Sequence, residues 1–255
     1  MRCVVKSKFI KIIIFIFSII IIILVVNSIK SIDDTKMQGP IENINMIYKE
    51  YSHDKFIIPE NIIKFDKNNI YKIYWEKDFE SYQIKVCLDK KDSLNIIYIK
   101  DGRYYSICQQ SNWTNGDIYA YENTEVDTLI KESKNILGYT VVKVIVPIGS
   151  ASNYIFYIIV SSKEPSLLLS DSISGEFSEF DINDDGQKEL IAFDEYMYFS
   201  INNKLYKATY DYDRKLIKQV YFDEKSKDFR VYFSDGTNKI YDYDIKHKCL
   251  KKHSN

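Results

Sequence analysis

The residues best placed to do chemistry are the oxygen donors of one acidic run, Asp181-Ile182-Asn183-Asp184-Asp185-Gly186-Gln187-Lys188-Glu189. Asp181, Asn183 and Asp185 occupy alternate positions 1, 3 and 5. If the chain curls there, their side chains can converge on one cation. Gly186 at position 6 permits the sharp turn, position 7 offers a backbone carbonyl, and Glu189 at position 9 closes the shell. Hard oxygen donors in a flexible loop suit Ca²⁺, which takes 6–8 of them at about 2.3–2.6 Å, whereas Mg²⁺ demands a tighter octahedron. The run is not an EF-hand, whose bidentate Glu stands at position 12, because Ala192 stands there. The same residues are also good turn formers, so a tight acidic hairpin without metal stays open.

The pattern D-x-N-x-D-G-x-x-E-L-I over residues 181–191, followed at once by a strand-like segment, resembles the calcium loops of FG-GAP and VCBS-type, integrin-like repeats. That resemblance implies Asp181, Asn183, Asp185 and Glu189 as side-chain ligands and Gln187 as a carbonyl ligand of a structural Ca²⁺. It covers about a dozen residues. Position 9 is Glu where the repeats usually carry Asp, and the chain holds a single copy.

Other candidates are weaker. His247-x-Cys249-x₃-His253 superficially resembles a zinc half-site. It lacks a fourth ligand and lies among lysines at the chain end, where a frayed basic tail is expected. No G-x-S-x-G elbow, P-loop or zinc-protease helix occurs. Trp75 and Trp113, with many tyrosines, could form a sugar-stacking surface, although such residues more often pack inside a sheet. The four cysteines are Cys3, Cys87, Cys108 and Cys249, with no C-x-x-C. In a meander Cys87 and Cys108 fall two strands apart, about 9.5 Å, too far for a disulfide.

These side chains need a scaffold, and the composition describes one. Of 255 residues 45% are hydrophobic and 28% charged, which suits a folded body and excludes general disorder. The 22 Tyr and 14 Phe, with many Ile and Val, favour strands. Net charge is −1, and four basic residues (Arg2, Lys6, Lys8, Lys11) precede the hydrophobic run, so the remainder is mildly acidic. It lacks the basic footprint of a nucleic-acid binder.

From Ile12 to Val26 only Ser18 is polar. Extended to residues 9–29, the run is long enough as a helix to span the roughly 30 Å hydrocarbon core. Basic residues before it and Asp33 and Asp34 after it predict a signal-anchor, with residues 1–8 as a cytoplasmic tail and the body outside. The best small-residue cleavage candidate, Val26-Asn27-Ser28, is poor, which favours an uncleaved anchor over a removed signal peptide, the alternative. Residues 30–40 read as a stalk and 41–255 as one extracytoplasmic β-rich domain.

Within that domain Tyr82–Leu88 alternates as a half-buried strand. Asp101-Gly102 joins residues 95–100 and 103–109 as a hairpin, pairing Ile99 with Tyr104, Ile97 with Ser106 and Asn95 with Cys108. Val141–Val146 and Tyr154–Val160 are apolar on both faces, as covered central strands are. Short strands then recur at 189–193, 196–201, 204–210, 215–222, 228–233 and 239–245. Two helices are expected. One is opened by Pro40, with Ile41, Ile44, Ile47, Tyr48 and Tyr51 at helical spacing. The other spans Thr124–Leu137 and ends at Gly138. The fold class is thus mainly β with one or two helices, α+β being the alternative. An antiparallel meander, as in a sandwich, a barrel or a propeller-like sheet, follows an N-terminal transmembrane helix. No repeat supports a regular propeller.

The sequence therefore predicts a membrane-anchored, exported, non-catalytic β-rich protein with one structural calcium loop, acting in binding or envelope support. Its partner would be a cell-surface polymer or protein. A carbohydrate- or cell-wall-binding module is the alternative, and an exported hydrolase a third.

Overall fold

The computed structural model describes residues 41–51, 63–110, 125–148, 152–160, 164–192, 196–202 and 204–253. The predicted tail, signal-anchor and stalk lie outside these. Among the described residues no helix is long and apolar enough to cross a membrane. Asn43–Asn255 forms one compact unit.

The chain runs β1 (Asn43–Glu50), β2 (Ile63–Lys64), β3 (Ile70–Asp78), β4 (Gln83–Asp89), β5 (Leu94–Lys100) and β6 (Arg103–Gln110). A single helical turn, α1 (Val126–Leu129), leads into β7 (Ile130–Ile136), β8 (Tyr139–Ile148), β9 (Ser152–Ile159) and β10 (Ser166–Ile173). Then come β11 (Ser178–Phe180), β12 (Glu189–Ile191), β13 (Tyr196–Ile201), β14 (Lys204–Asp211), β15 (Ile217–Asp223), β16 (Asp228–Phe233), β17 (Asn238–Asp244) and β18 (Cys249–Lys252). The strands form three antiparallel sheets: a five-stranded sheet β2-β6-β5-β4-β3, a four-stranded sheet β10-β9-β8-β7, and a nine-stranded sheet β11-β12-β13-β14-β1-β18-β17-β16-β15. The mainly-β expectation holds.

The nine-stranded sheet curls until its terminal strands meet. Phe180 of β11 packs 5.3 Å from Phe222 of β15, and the Lys227 ammonium lies 5.3 Å from the Phe180 ring. The result is a nearly closed barrel. Its interior follows from the register, since Tyr48, Ala208 and Met197 stand opposite one another on β1, β14 and β13. Phe199 packs on Tyr48 and Tyr243, whose hydroxyls share a hydrogen bond of 2.6 Å.

The four-stranded sheet is the central layer. The face carrying Glu132, Val142 and Ile158 turns to the five-stranded sheet, where the Tyr82 hydroxyl donates to Glu132 at 2.9 Å. The opposite face, with Lys143, Tyr157 and Asp171, turns to the outer wall of the barrel. There Tyr157 donates to Glu179 at 3.2 Å. Coverage on both sides explains the continuous apolar runs of β8 and β9, whose residues Val141–Val146 are all buried.

Two predicted helices are corrected. Ile44 and Met46 are buried and alternate with exposed neighbours in β1, which pairs with β14 and β18. The coincidence of Ile41, Ile44 and Ile47 at helical spacing misled, for Ile47 is 46% exposed. The segment expected as the longer helix keeps only α1. Ile130 and Ser133 stand in unbroken register opposite Val144 and Val141, so they face opposite sides of a strand buried at both, and a bulge before Ile136 adds one residue. A strand buried on both faces thus imitates helical spacing.

The β5–β6 hairpin forms as predicted, with Asp101 and Gly102 at φ +49° and +70°, the left-handed pair of a type I′ turn. Ile99–Tyr104 and Ile97–Ser106 pair as expected. A bulge beyond them sets Cys108 opposite Ile96, so Asn95 faces Gln109 instead. Cys87 faces Asn95 and is a buried free thiol. Burial, first, and then Asp89 push it up to about 12, so it is chemically quiet.

Candidate metal centre

The acidic run lies between β11 and β12, at the wall of the barrel that faces the central sheet. Asp184 and Gly186 take φ of +57° and +85°, which curls the chain back on itself. Glycine adopts this freely, and Asp tolerates it through local hydrogen bonds.

The curl turns the expected ligands inward. Asp181 accepts from the Asp185 amide at 3.1 Å and the Gly186 amide at 2.8 Å. Asn183 Oδ1 accepts from the Asp185 amide at 3.0 Å, and Asp185 Oδ1 from the Gln187 amide at 2.8 Å. Glu189 Oε2 accepts from the Ile182 amide at 3.0 Å. The Asn183 Nδ2 group donates to Asp185 Oδ2 and Glu189 Oε1, both at 3.2 Å. The positive end of an amide dipole therefore sits between two carboxylates.

The loop thus brings Asp181, Asn183, Asp185 and Glu189 into one hydrogen-bonded group. Among the described residues, however, no three His, Cys, Asp or Glu side chains lie close enough to hold a metal ion. Gln187 is half-buried and turns its side chain toward Gly138 of the β7–β8 turn, where an added Cβ would meet Gln187 Oε1 at 2.9 Å.

Glu189 differs from the others. It is 2% exposed, while Asp185 is exposed and Asp181 and Asn183 are half-buried. Burial, partly offset by the Ile182 amide and reinforced by the charges of Asp185 and Asp181, pushes its carboxyl up to about 8. Its negative field reaches Tyr48 and Tyr243 and helps hold both phenols above their ordinary value, although burial is the larger cause. A buried carboxylate flanked by like charges is a group that a cation would relieve.

Sequence reasoning missed a second polar cluster, between the central sheet and the barrel. Asp171, 7% exposed, accepts from the Tyr196 and Tyr198 hydroxyls at 2.7 and 2.6 Å and faces Lys207 Nζ at 3.4 Å. Lys207 Nζ also stands 3.3 Å from the Tyr196 ring centroid. Nearby, Lys143 pairs with Glu176 at 3.0 Å and Glu179 at 3.1 Å. The available signal was an acidic residue interrupting the β10 run Leu167-Leu168-Leu169-Ser170.

The chain end is a further correction. Residues 249–252 form β18, paired between β1 and β17, with Leu250 fully buried. His247 faces Asp244 at 2.8 Å and His253 faces Asp242 at 3.2 Å, so each histidine meets its own carboxylate and no shared zinc site forms. Trp75 is 5% exposed and belongs to the core, so it cannot stack on a sugar. Trp113 lies outside the described residues.

A cleft of about 520 Å³ opens at the barrel seam, lined by Glu176, Ser178, Ile191, Phe222, Asp223 and neighbours. Asp223 is held below the usual carboxylate range by the Lys225 amide, with help from Ser226 and Arg230. It is therefore a poor proton donor near neutrality. In comparisons with known proteins the chain matches no family model, no curated protein and no solved structure.

Proposed function

We propose that the chain is a membrane-tethered, exported, non-catalytic protein whose β-rich body acts in binding or envelope support at the cell surface. In this reading its acidic loop takes one structural Ca²⁺. The observation that supports the metal assignment is the gathering of Asp181, Asn183, Asp185 and Glu189 into one hydrogen-bonded curl whose closing carboxylate is buried. The donor set is all hard oxygen, as Ca²⁺ prefers. The four side chains and the Gln187 carbonyl would hold the ion. A small movement of the Asn183 amide would release Asp185 and Glu189 to it. The ion would supply charge neutralisation and fix β11 against β12. An extracellular site of this kind binds at about 10⁻⁴–10⁻³ M.

The anchor at residues 9–29 is proposed from the hydrophobic run and its flanking charges. Alkaline extraction should leave the full chain in the membrane fraction and release a chain lacking residues 9–29. Calcium titration of the detergent-purified full chain should raise its melting temperature. At ten times Kd the gain is about 1.4 kcal/mol, or several degrees. Identical melting with and without calcium, together with a neutral Asp181→Ala, would sink the metal assignment.

A further inference from the structure

The β7–β8 turn is pinned beside the segment that enters β12. The Lys188 amide donates to the Asn135 carbonyl at 2.7 Å, and the Lys188 carbonyl accepts from the Leu137 amide at 2.9 Å. Ile136 and Lys188 form a parallel bridge. Between the two segments lies a cleft of about 380 Å³, lined by Asn135, Leu137, Gly138, Tyr139, Gly186 and Gln187. That volume falls in the range of small-ligand sites, about 300–1,000 Å³. Gly138 shapes it. An added Cβ there would meet Gln187 Oε1 at 2.9 Å, so only glycine lets the Gln187 side chain lie against the turn.

The chemistry of the lining is uniform. It holds no carboxylate, ammonium or imidazole. Its polar side chains are the two amides of Asn135 and Gln187 and the phenol of Tyr139. Among the described residues none of these three side chains has a hydrogen-bond partner. Tyr139 is 38% exposed, so its ring is open to a ligand. A side-chain amide sets a donor beside an acceptor, which matches a pair of neighbouring hydroxyls. A tyrosine ring offers an apolar face with a polar tip, on which the C–H face of a pyranose can stack.

We propose that this cleft binds an uncharged sugar residue of a cell-surface polysaccharide, with Tyr139 as the stacking platform and the Asn135 and Gln187 amides bonded to its hydroxyls. This gives a ligand class to the binding role proposed above and rests on that role. It needs no cation in the neighbouring loop. The two backbone hydrogen bonds of Lys188 hold the amide-bearing walls at a fixed separation, so the site is formed before the sugar arrives.

The test is calorimetric titration of the full chain, purified in a detergent without a sugar headgroup and kept in chelator. The probes are cellotriose, mannotriose and N-acetylated chitotriose, with trigalacturonic acid as the charged comparison. At least one neutral trisaccharide should bind, and more tightly than the acid. Tyr139→Ala should abolish that binding, while Tyr139→Phe, which keeps the ring, should retain most of it. Gln187→Ala and Asn135→Gly, the latter chosen because glycine keeps the left-handed backbone at φ +59°, should each weaken binding roughly three- to tenfold, about the worth of one hydrogen bond. Melting curves of the variants check that the fold is kept. Binding that survives Tyr139→Ala unchanged, or none of the three neutral sugars bound by the wild-type chain, overturns the site. Release of the full chain by alkaline extraction overturns the tethered reading instead, and leaves a positive sugar result standing.

Discussion

Glu189 Oε1 receives a hydrogen bond from Asn183 Nδ2 at 3.2 Å. The contact joins the last and the middle ligand position of the acidic loop, and it reaches from a half-buried side chain to one buried in the barrel wall. It ties loop conformation to the ionisation of Glu189.

That ionisation should be visible in stability. Glu189 has a folded value of about 8 against an ordinary 4.5, so the folded state binds the proton more tightly. The stabilisation is complete below about 4.5 and is lost as pH rises toward 8. Within that window the metal-free protein should lose up to about 1.4 kcal/mol per pH unit. Urea titrations in chelator across this range check it. Glu189→Gln should flatten the trend, and calcium, which prefers the ionised form, should oppose it.

Asp181→Ala removes the acceptor for the Asp185 and Gly186 amides. Both residues are exposed, so water can replace the lost bonds, and the cost without metal should be about 1 kcal/mol. In calcium the gap between variant and wild type should widen, as read by thermal melting. A gap that is the same with and without the ion contradicts a ligand role for Asp181.

Asp171→Ala should be among the most damaging changes in the domain. It strips the shared acceptor from two buried tyrosine hydroxyls. About 2–4 kcal/mol should be lost, since unsatisfied buried donors cost more than the net worth of their bonds. Tyr198→Phe, which removes one donor and leaves the carboxylate its other partners, should cost about 1 kcal/mol. Equilibrium unfolding of both variants distinguishes the two.

Leu250→Ala should cost about 2–5 kcal/mol, as for a filled core position. Leu250 stands opposite Ile44 and Tyr243 between β1 and β17. Ending the chain at Lys248 should prevent the barrel from forming, because β1 and β17 are joined only through β18 in the sheet order. Circular dichroism and proteolysis of the shortened chain test this. Native-like protection would show that the last residues are dispensable.

Much of the fold is local and was therefore legible. Alternation in β4, the Asp101-Gly102 turn and the two-sided apolar runs of β8 and β9 depend on side chains and backbone angles within a few residues, and each appears where expected. The acidic loop belongs to the same kind. Its Asp and Asn spacing and Gly186 dictate a curl wherever the chain places them.

The misreadings share a cause. In β1 and β7 the apolar spacing was compatible with a helix; pairing with the distant β14 decided otherwise for β1, and for β7 a hairpin with β8 that is covered on both faces. In β18 the lysines and histidines suggested a tail, while burial of Leu250 depends on β1, some two hundred residues away in sequence. Residue types and short-range spacing determined a β-rich chain with one oxygen-lined loop. Tertiary structure decided which strands close the barrel, that Glu189 is buried in its wall, and that Lys188 meets the β7–β8 turn. Those facts rest on contacts between segments far apart in the chain, which no local pattern encodes.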